Sequence, residues 1–253
     1  MTESAVYVYG VLAAAELPAL AVAGVHGVPV RAVEHDGLAA LTSELKSDAL
    51  AAAREVRTHW RVLDEASQTA TVLPARFGTV LESDAAVRER LLEPNRERLA
   101  ELLSAVAGRV QLNVKGEYDE DRLMRSVVSE SPGIVALREK VRTLPEAAGY
   151  YERIRLGELV ASEVERRRQE DTRFALETLG PLAVESRQED VSHPDAAYKL
   201  AFLVERNRQD EFTAAVNALS TAHGDEIAIR YVGPLPPYSF AEADLSPRSE
   251  AWA

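Results

Sequence analysis

Hydrophobic positions along this chain change period several times, and each change marks an element. Ala5 to Leu12 is apolar on both faces and rich in β-branched and aromatic residues, the pattern of a strand in the middle of a sheet. Pro29 to Glu34 and Leu38 to Ser43 flank His35-Asp36-Gly37, and an Asp-Gly between two apolar runs predicts a β-hairpin. From Arg54 to Val72 the steps of four and three through Val56, Trp60, Leu63, Ser67 and Ala70 predict a helix that packs on the sheet by that face and ends at Pro74. A short strand near Phe77 to Leu81 and a helix from about Asp84 to Val106, divided at Pro94, complete this half.

After Gly108 the pattern starts afresh, with Val110, Leu112 and Val114 alternating with Gln111, Asn113 and Lys115 as in a strand buried on one face. There follow a helix at Glu152 to Leu179, strands near Leu182 to Val191 and at Ala197 to Glu205, a helix at Gln209 to Ala222 and a strand at Glu226 to Val232. The order βαββαβ predicts a ferredoxin-like layout, two helices on one face of a four-stranded antiparallel sheet. Tyr198, Leu200, Phe202 and Val204 on one strand face are expected to meet Phe212, Val216 and Leu219 on one helix face. The expectation is an α+β protein of two domains. They are an N-terminal α+β domain at 1–107 and a ferredoxin-like domain at 108–236 with a helical insertion at about 120–149, broken at Ser131-Pro132-Gly133. Pro234, Pro236 and Pro237 exclude a central strand beyond Gly233, so 237–253 is expected to be an extended, docked tail.

The composition is globular, with 46% hydrophobic and 28% charged residues in 253, so the chain is long enough for two cores. The absence of Cys removes disulfides, thiolate metal sites and thiol nucleophiles, and together with an N-terminus unlike a signal peptide it points to the reducing cytoplasm. A net charge of -12 disfavours nucleic acid and anionic membranes, which reward clustered Lys and Arg.

Catalytic chemistry is not visible. None of His26, His35, His59, His193 and His223 lies three or four residues from another, so each is expected to be a surface or capping residue. No nucleophile elbow, phosphate loop or dinucleotide fingerprint occurs, and no catalytic residue, cofactor or metal site is expected. The run Glu117, Asp119, Glu120, Asp121 lacks calcium-loop spacing and reads as carboxylates at a helix start. Glu165 to Arg173 has no apolar side chain in nine positions, and a helix from Glu152 to Leu179 would be roughly 42 Å long, so part of it is expected to project. Spacing predicts i,i+4 pairs Glu163–Arg167, Arg166–Glu170 and Arg167–Asp171. Arg166, Arg167, Arg168 and Glu170 are therefore candidates for a charged protein-docking face, the alternative being a solvated, self-paired helix.

Four stretches together resemble one family, the GvpL/GvpF gas vesicle proteins. They are Tyr7-Val8-Tyr9-Gly10, His59-Trp60-Arg61-Val62-Leu63, Leu73-Pro74-Ala75-Arg76-Phe77-Gly78-Thr79-Val80, and Tyr231-Val232-Gly233-Pro234-Leu235-Pro236-Pro237-Tyr238-Ser239-Phe240. One departure is Leu235, where the family commonly carries Trp. The resemblance implies a non-enzymatic accessory protein of gas vesicle assembly, located at the gas vesicle in the cytoplasm. Its implied partners are the hydrophobic shell subunit and other accessory proteins. Arg76 and Phe77 are candidates for partner contact; the alternative, favoured at this level, is a structural turn with Phe77 buried and Arg76 paired to a carboxylate.

Two other function classes remain, a ligand-sensing or enzymatic ferredoxin-like protein and a shell component, the latter ill-suited to so charged a chain. Residues 1–53 hold eight charged side chains, whereas 152–179 hold thirteen in twenty-eight positions. The N-terminal domain is therefore expected to meet the shell subunit, and the long helix soluble partners, the alternative being that the early segment is apolar because its strand and hairpin are buried.

Overall fold

A computed structural model describes residues 5–45, 53–145, 149–191 and 193–241. The fold is mixed α+β, with two antiparallel sheets and helices. The chain forms two compact units, one of residues up to Gln111 together with those from Gly233 on, the other of Leu112–Val232.

In the first unit β1 (Val6–Ala13) is the central strand. It pairs on one side with β3 (Leu38–Glu44) and on the other with β4 (Val72–Pro74) and β5 (Val80–Leu81), while β2 (Arg31–His35) pairs β3. The hairpin closes as expected through Asp36 (φ 43°) and Gly37 (φ 83°), two positive-φ residues of the kind a two-residue turn with right-handed strand twist needs. Val6 to Leu12 are all buried, so β1 is covered on both faces. Helix α1 (Ala53–Ser67) packs against β1 and β4. The segment of α2 (Asp84–Ala86), a π-helical stretch Val87–Leu92, a 3-10 turn Glu93–Asn95 and α3 (Arg96–Val106) packs against β1, β2, β3 and β4. Pro94 sits in that 3-10 turn, where the regular helix is interrupted as the sequence predicts.

Two expectations in this unit fail. The helix stops at Ser67, because Val72 and Leu73 are drawn into a strand against Leu12 and Val11. Its packing face is Glu55, His59, Val62, Leu63 and Ala66, rotated from the expected stripe, so Trp60 is 45% exposed and His59 is inside. The apolar period alone misleads here because two polar side chains are buried with hydrogen-bond partners, whereas a tryptophan lies on the outer face.

In the second unit the sheet order is β7-β8-β6-β9, with β6 (Arg109–Tyr118), β7 (Glu185–Gln188), β8 (Ala196–Glu205) and β9 (Ile227–Leu235). Helices α6 (Tyr150–Leu179) and α7 (Gln209–His223) pack on β8 and on each other. Phe202 and Phe212 meet with ring centroids 5.2 Å apart, as the two predicted faces require. The insertion forms α4 (Glu120–Glu130) and α5 (Pro132–Thr143). Asp119 caps α4 by accepting from the Arg122 N–H at 2.9 Å, and Glu120 and Asp121 occupy its first turn, as expected of helix-start carboxylates, whereas Glu117 lies in β6 and pairs with Lys115 at 2.6 Å and Arg230 at 3.1 Å. β9 runs on through Pro234 to Leu235, past the expected end, and an edge strand tolerates that proline. The expected projection of α6 is partial, since α4 and α5 pack along it while Tyr150, Tyr151 and Ile154 near its start stay exposed. Of the expected C-terminal tail, 242–253 lies outside the described residues.

Candidate protein-binding site

The site in the first unit is built on Tyr7, Tyr9 and Gly10 of β1. A Cβ on Gly10 would stand 2.6 Å from the Leu73 carbonyl oxygen and 3.0 Å from Leu63, so only glycine lets β4 and α1 come this close. Tyr7 and Tyr9 point to the α1 side, where they pack edge-on at 4.9 Å with His59 beside both. Tyr9 Oη accepts the Val25 N–H at 2.7 Å and lies 2.8 Å from Ser43 Oγ. Tyr7 Oη accepts the Gly78 N–H at 3.1 Å, which leaves its own proton for His59 Nδ1 at 2.9 Å. That assignment puts the imidazole proton on Nε2, which is buried without a hydrogen bond of ordinary length. Desolvation, opposed by the backbone of Ala75, pushes the His59 pKa down to about 4, and desolvation likewise raises the Tyr7 phenol well above its usual range. His59 is thus a neutral core residue, not the surface histidine expected.

Pro74 to Thr79 form a turn fastened to β1 at both ends, by Ala75 N–H to Tyr9 O at 2.8 Å and Val8 N–H to Thr79 O at 2.9 Å. Thr79 closes it through its N–H and hydroxyl, both donating to the Arg76 carbonyl, and Gly78 supplies φ 88°. The turn is structural, but of its two central side chains Phe77 is used internally on one side only and Arg76 is exposed. Phe77 is 36% exposed, touching Tyr7 and His59 by one side at 6.2 and 5.8 Å, and Arg76 pairs with no carboxylate among the described residues. The expected burial of Phe77 and pairing of Arg76 are therefore corrected: the fixed backbone presents both outward.

A second aromatic pair adjoins. Trp60, one residue beyond His59 on α1, meets Tyr238 with centroids 4.4 Å apart. Tyr238 belongs to a C-terminal turn held by Ala241 N–H to Pro237 O and by Gln111, whose side chain accepts from Ser239 N and donates to Ser239 Oγ. Tyr238 packs against the Tyr7–Tyr9 cluster, so Trp60, Tyr238 and Phe77 are linked through that shared core. The result is a rim of two exposed aromatic side chains, Trp60 and Phe77, with Tyr238, its hydroxyl buried, backing Trp60 and with the guanidinium of Arg76 uncommitted among the described residues. Trp, Tyr, Phe and Arg are the side chains that anchor protein interfaces, because they bring large contact area with little rotamer entropy to lose. Reading Trp60 as a packing residue concealed its part in this rim.

The four α6 candidates do not act as one face. Arg166 bridges Glu163 and Glu170 on the surface. Arg167 turns inward, with its side chain 15% exposed, and donates to Ser126 Oγ at 2.6 Å and Glu130 at 2.8 Å, with Glu163 and Glu226 3.5 Å away. Arg168 donates to the carbonyls of Ala196 and Pro194. The expected Arg167–Asp171 pair is not made; Asp171 instead accepts the Tyr118 hydroxyl at 2.5 Å, and its carboxyl is raised by desolvation. Arg166 and Glu170 face solvent, whereas Arg167 and Arg168 tie α6 to its neighbours.

Residues 5–242 match the family described as Gas vesicle synthesis protein GvpL/GvpF. Gas vesicle protein F of Streptomyces sp. (strain CB03234) is 36% identical over 217 residues, covering 85% of this chain and 88% of the relative. Gas vesicle protein F of Microcystis aeruginosa (strain PCC 7806) is 28% identical over 239 residues, covering 93% and 97%. The crystal structure of GvpF from Anabaena sp. PCC7120 superposes with a TM-score of 0.85 at 27% identity, over 95% of this chain and 99% of that one. The four stretches that carry the resemblance are those that build the aromatic core, the Arg76–Phe77 turn and the C-terminal turn, and the chain belongs to the GvpL/GvpF family of gas vesicle synthesis proteins.

Proposed function

We propose that the protein is an accessory factor of gas vesicle assembly that works by binding the shell subunit and other accessory proteins, and that it associates with gas vesicles inside the cell. The observation that carries this reading is the exposure of Trp60, Phe77 and the unpaired Arg76 around one aromatic core, side chains suited to an apolar protein partner, in a chain of this family. The family is one of gas vesicle proteins, not of known enzymes. Among the described residues no helix is long and apolar enough to cross a membrane.

In this reading the first unit meets the shell subunit, and the exposed Arg166 and Glu170 of α6 are left to orient soluble partners. The second unit is read as ferredoxin-like, on the strength of its βαββαβ order and the strand order β7-β8-β6-β9. The test is deletion of the gene in a vesicle-forming host followed by electron microscopy of the cells. Loss of mature vesicles, restored by the wild-type gene, is expected; normal vesicles in the deletion strain would remove the assembly role.

A further inference from the structure

The first unit also carries an unassigned pocket of about 480 Å³, within the size range of ligand sites. One wall is α1, which contributes Arg54, Arg57, Thr58 and Arg61. The other is the loop from Ala21 to Gly27. This loop is fixed at almost every amide: Ala21 and Val22 donate to the Glu65 carboxylate at 2.6 and 3.2 Å, Gly24 to Val28 O, Val25 to Tyr9 Oη and His26 to Glu55 at 3.3 Å. His26 is held at φ 57°, a left-handed conformation that a non-glycine residue adopts at a cost of about 1 kcal/mol or more. Gly24 is packed so tightly that a Cβ would lie 2.2 Å from Tyr9 Oη. The pocket wall is thus tied into the same aromatic core that supports the rim.

The charge of the lining is opposite to that of the chain. Three guanidinium groups face one carboxylate, Glu55, which is buried and already accepts from the His26 amide, whereas the whole protein carries -12. Arg54, Arg57 and Arg61 are exposed and pair with no carboxylate among the described residues, unlike Arg166, Arg167, Arg168 and Arg208 elsewhere on the surface. Among the described residues, therefore, nothing neutralises these three adjacent arginines of an acidic protein. Spaced i, i+3 and i+7, they form a row about 10.5 Å long on one helical face. That is too long for one phosphate or one carboxylate. It matches carboxylates repeating every 6 Å or so along a helix at i and i+4, or about every 6.8 Å along one face of a strand. Arginine, with its planar fork, is the cation suited to holding each carboxylate by two hydrogen bonds.

We infer that this pocket is a docking site for an acidic peptide segment of a partner protein, with Arg57 and Arg61 as its principal carboxylate contacts and Arg54 at the end of the row. This does not depend on the vesicle role. The test uses the purified full-length chain and a fluorescein-labelled peptide of ten glutamates, followed by fluorescence anisotropy in 50 mM salt, with tripolyphosphate in a parallel titration. Saturable peptide binding is expected, weakened about tenfold or more by Arg57→Ala/Arg61→Ala and unchanged by Arg138→Ala/Arg142→Ala, which removes the same charge from α5. Thermal midpoints establish that both variants are folded. Absence of saturable binding by the wild type, or equal weakening in the two variants, would overturn the assignment. Binding of tripolyphosphate but not peptide through Arg57 and Arg61 would also overturn it, in favour of a small polyanion.

Discussion

His59 offers a quantitative check on the dry core beneath the aromatic rim. Its pKa is pushed down to about 4 from an ordinary value of 6.5, chiefly by desolvation. Above pH 6.5 the imidazole is neutral in both folded and unfolded chains and costs nothing. As pH falls from 6.5 toward 4, the unfolded chain takes up a proton that the native site refuses, and stability is lost; below about 4 both states are protonated and the loss is complete. Between pH 7.5 and 4.5 this amounts to about 2.5 kcal/mol. His59→Asn keeps an acceptor near the Nδ1 position for the Tyr7 hydroxyl and removes the titration. Urea unfolding of both proteins across this pH range isolates the effect, because other titrating groups are common to both. The stability advantage of the wild type over the variant should shrink by about 2.5 kcal/mol between pH 7.5 and 4.5. A difference that stays constant, or an NMR titration placing His59 near 6.5, would show that the site is wet and the core argument mistaken.

Three further outcomes follow from the packing. Gly10→Ala should destabilise the protein by about 1 to 3 kcal/mol in urea unfolding, because its Cβ meets the backbone carbonyl of Leu73, which cannot swing away. Asp119→Ala should cost about 0.5 to 2 kcal/mol through loss of the α4 cap, and Asp119→Asn much less. Arg167→Ala should cost about 1 to 3 kcal/mol by removing a side chain only 15% exposed together with its charge-assisted bonds to Ser126 and Glu130, whereas Arg166→Ala should leave the unfolding midpoint nearly unchanged; equal effects would refute their different placement.

The elements that sequence pattern predicted well are those in which local chemistry and burial agree. Asp36-Gly37 closes the hairpin, Pro94 interrupts the helical segment, and Phe202 and Phe212 meet because strand and helix periodicity select the same faces. The failures share a different cause. His59 was expected at the surface and Trp60 inside, yet a buried polar group is decided by partners distant in sequence, here Tyr7 at a separation of 52 residues. The charged run of α6 looked uniformly solvated because composition cannot reveal that Arg167 has Ser126 and Glu130 within reach or that Arg168 finds the carbonyls of Pro194 and Ala196. The helix end at Ser67 was missed because Val72 and Leu73 suit either a helix face or a strand, and only pairing with β1 decides.

Under the proposed function, the rim of Trp60, Arg76 and Phe77 is a protein contact as well as the edge of a core. The direct measurement is capture of purified shell subunit by the full-length wild-type chain, by Trp60→Ala/Arg76→Ala/Phe77→Ala, and by Arg166→Ala/Glu170→Ala, each well below its own thermal midpoint. Capture by the wild type and by the α6 variant is expected, with a loss of about tenfold or more in the rim variant. Equal capture by the folded rim variant, or loss confined to the α6 variant, would contradict that role of the rim.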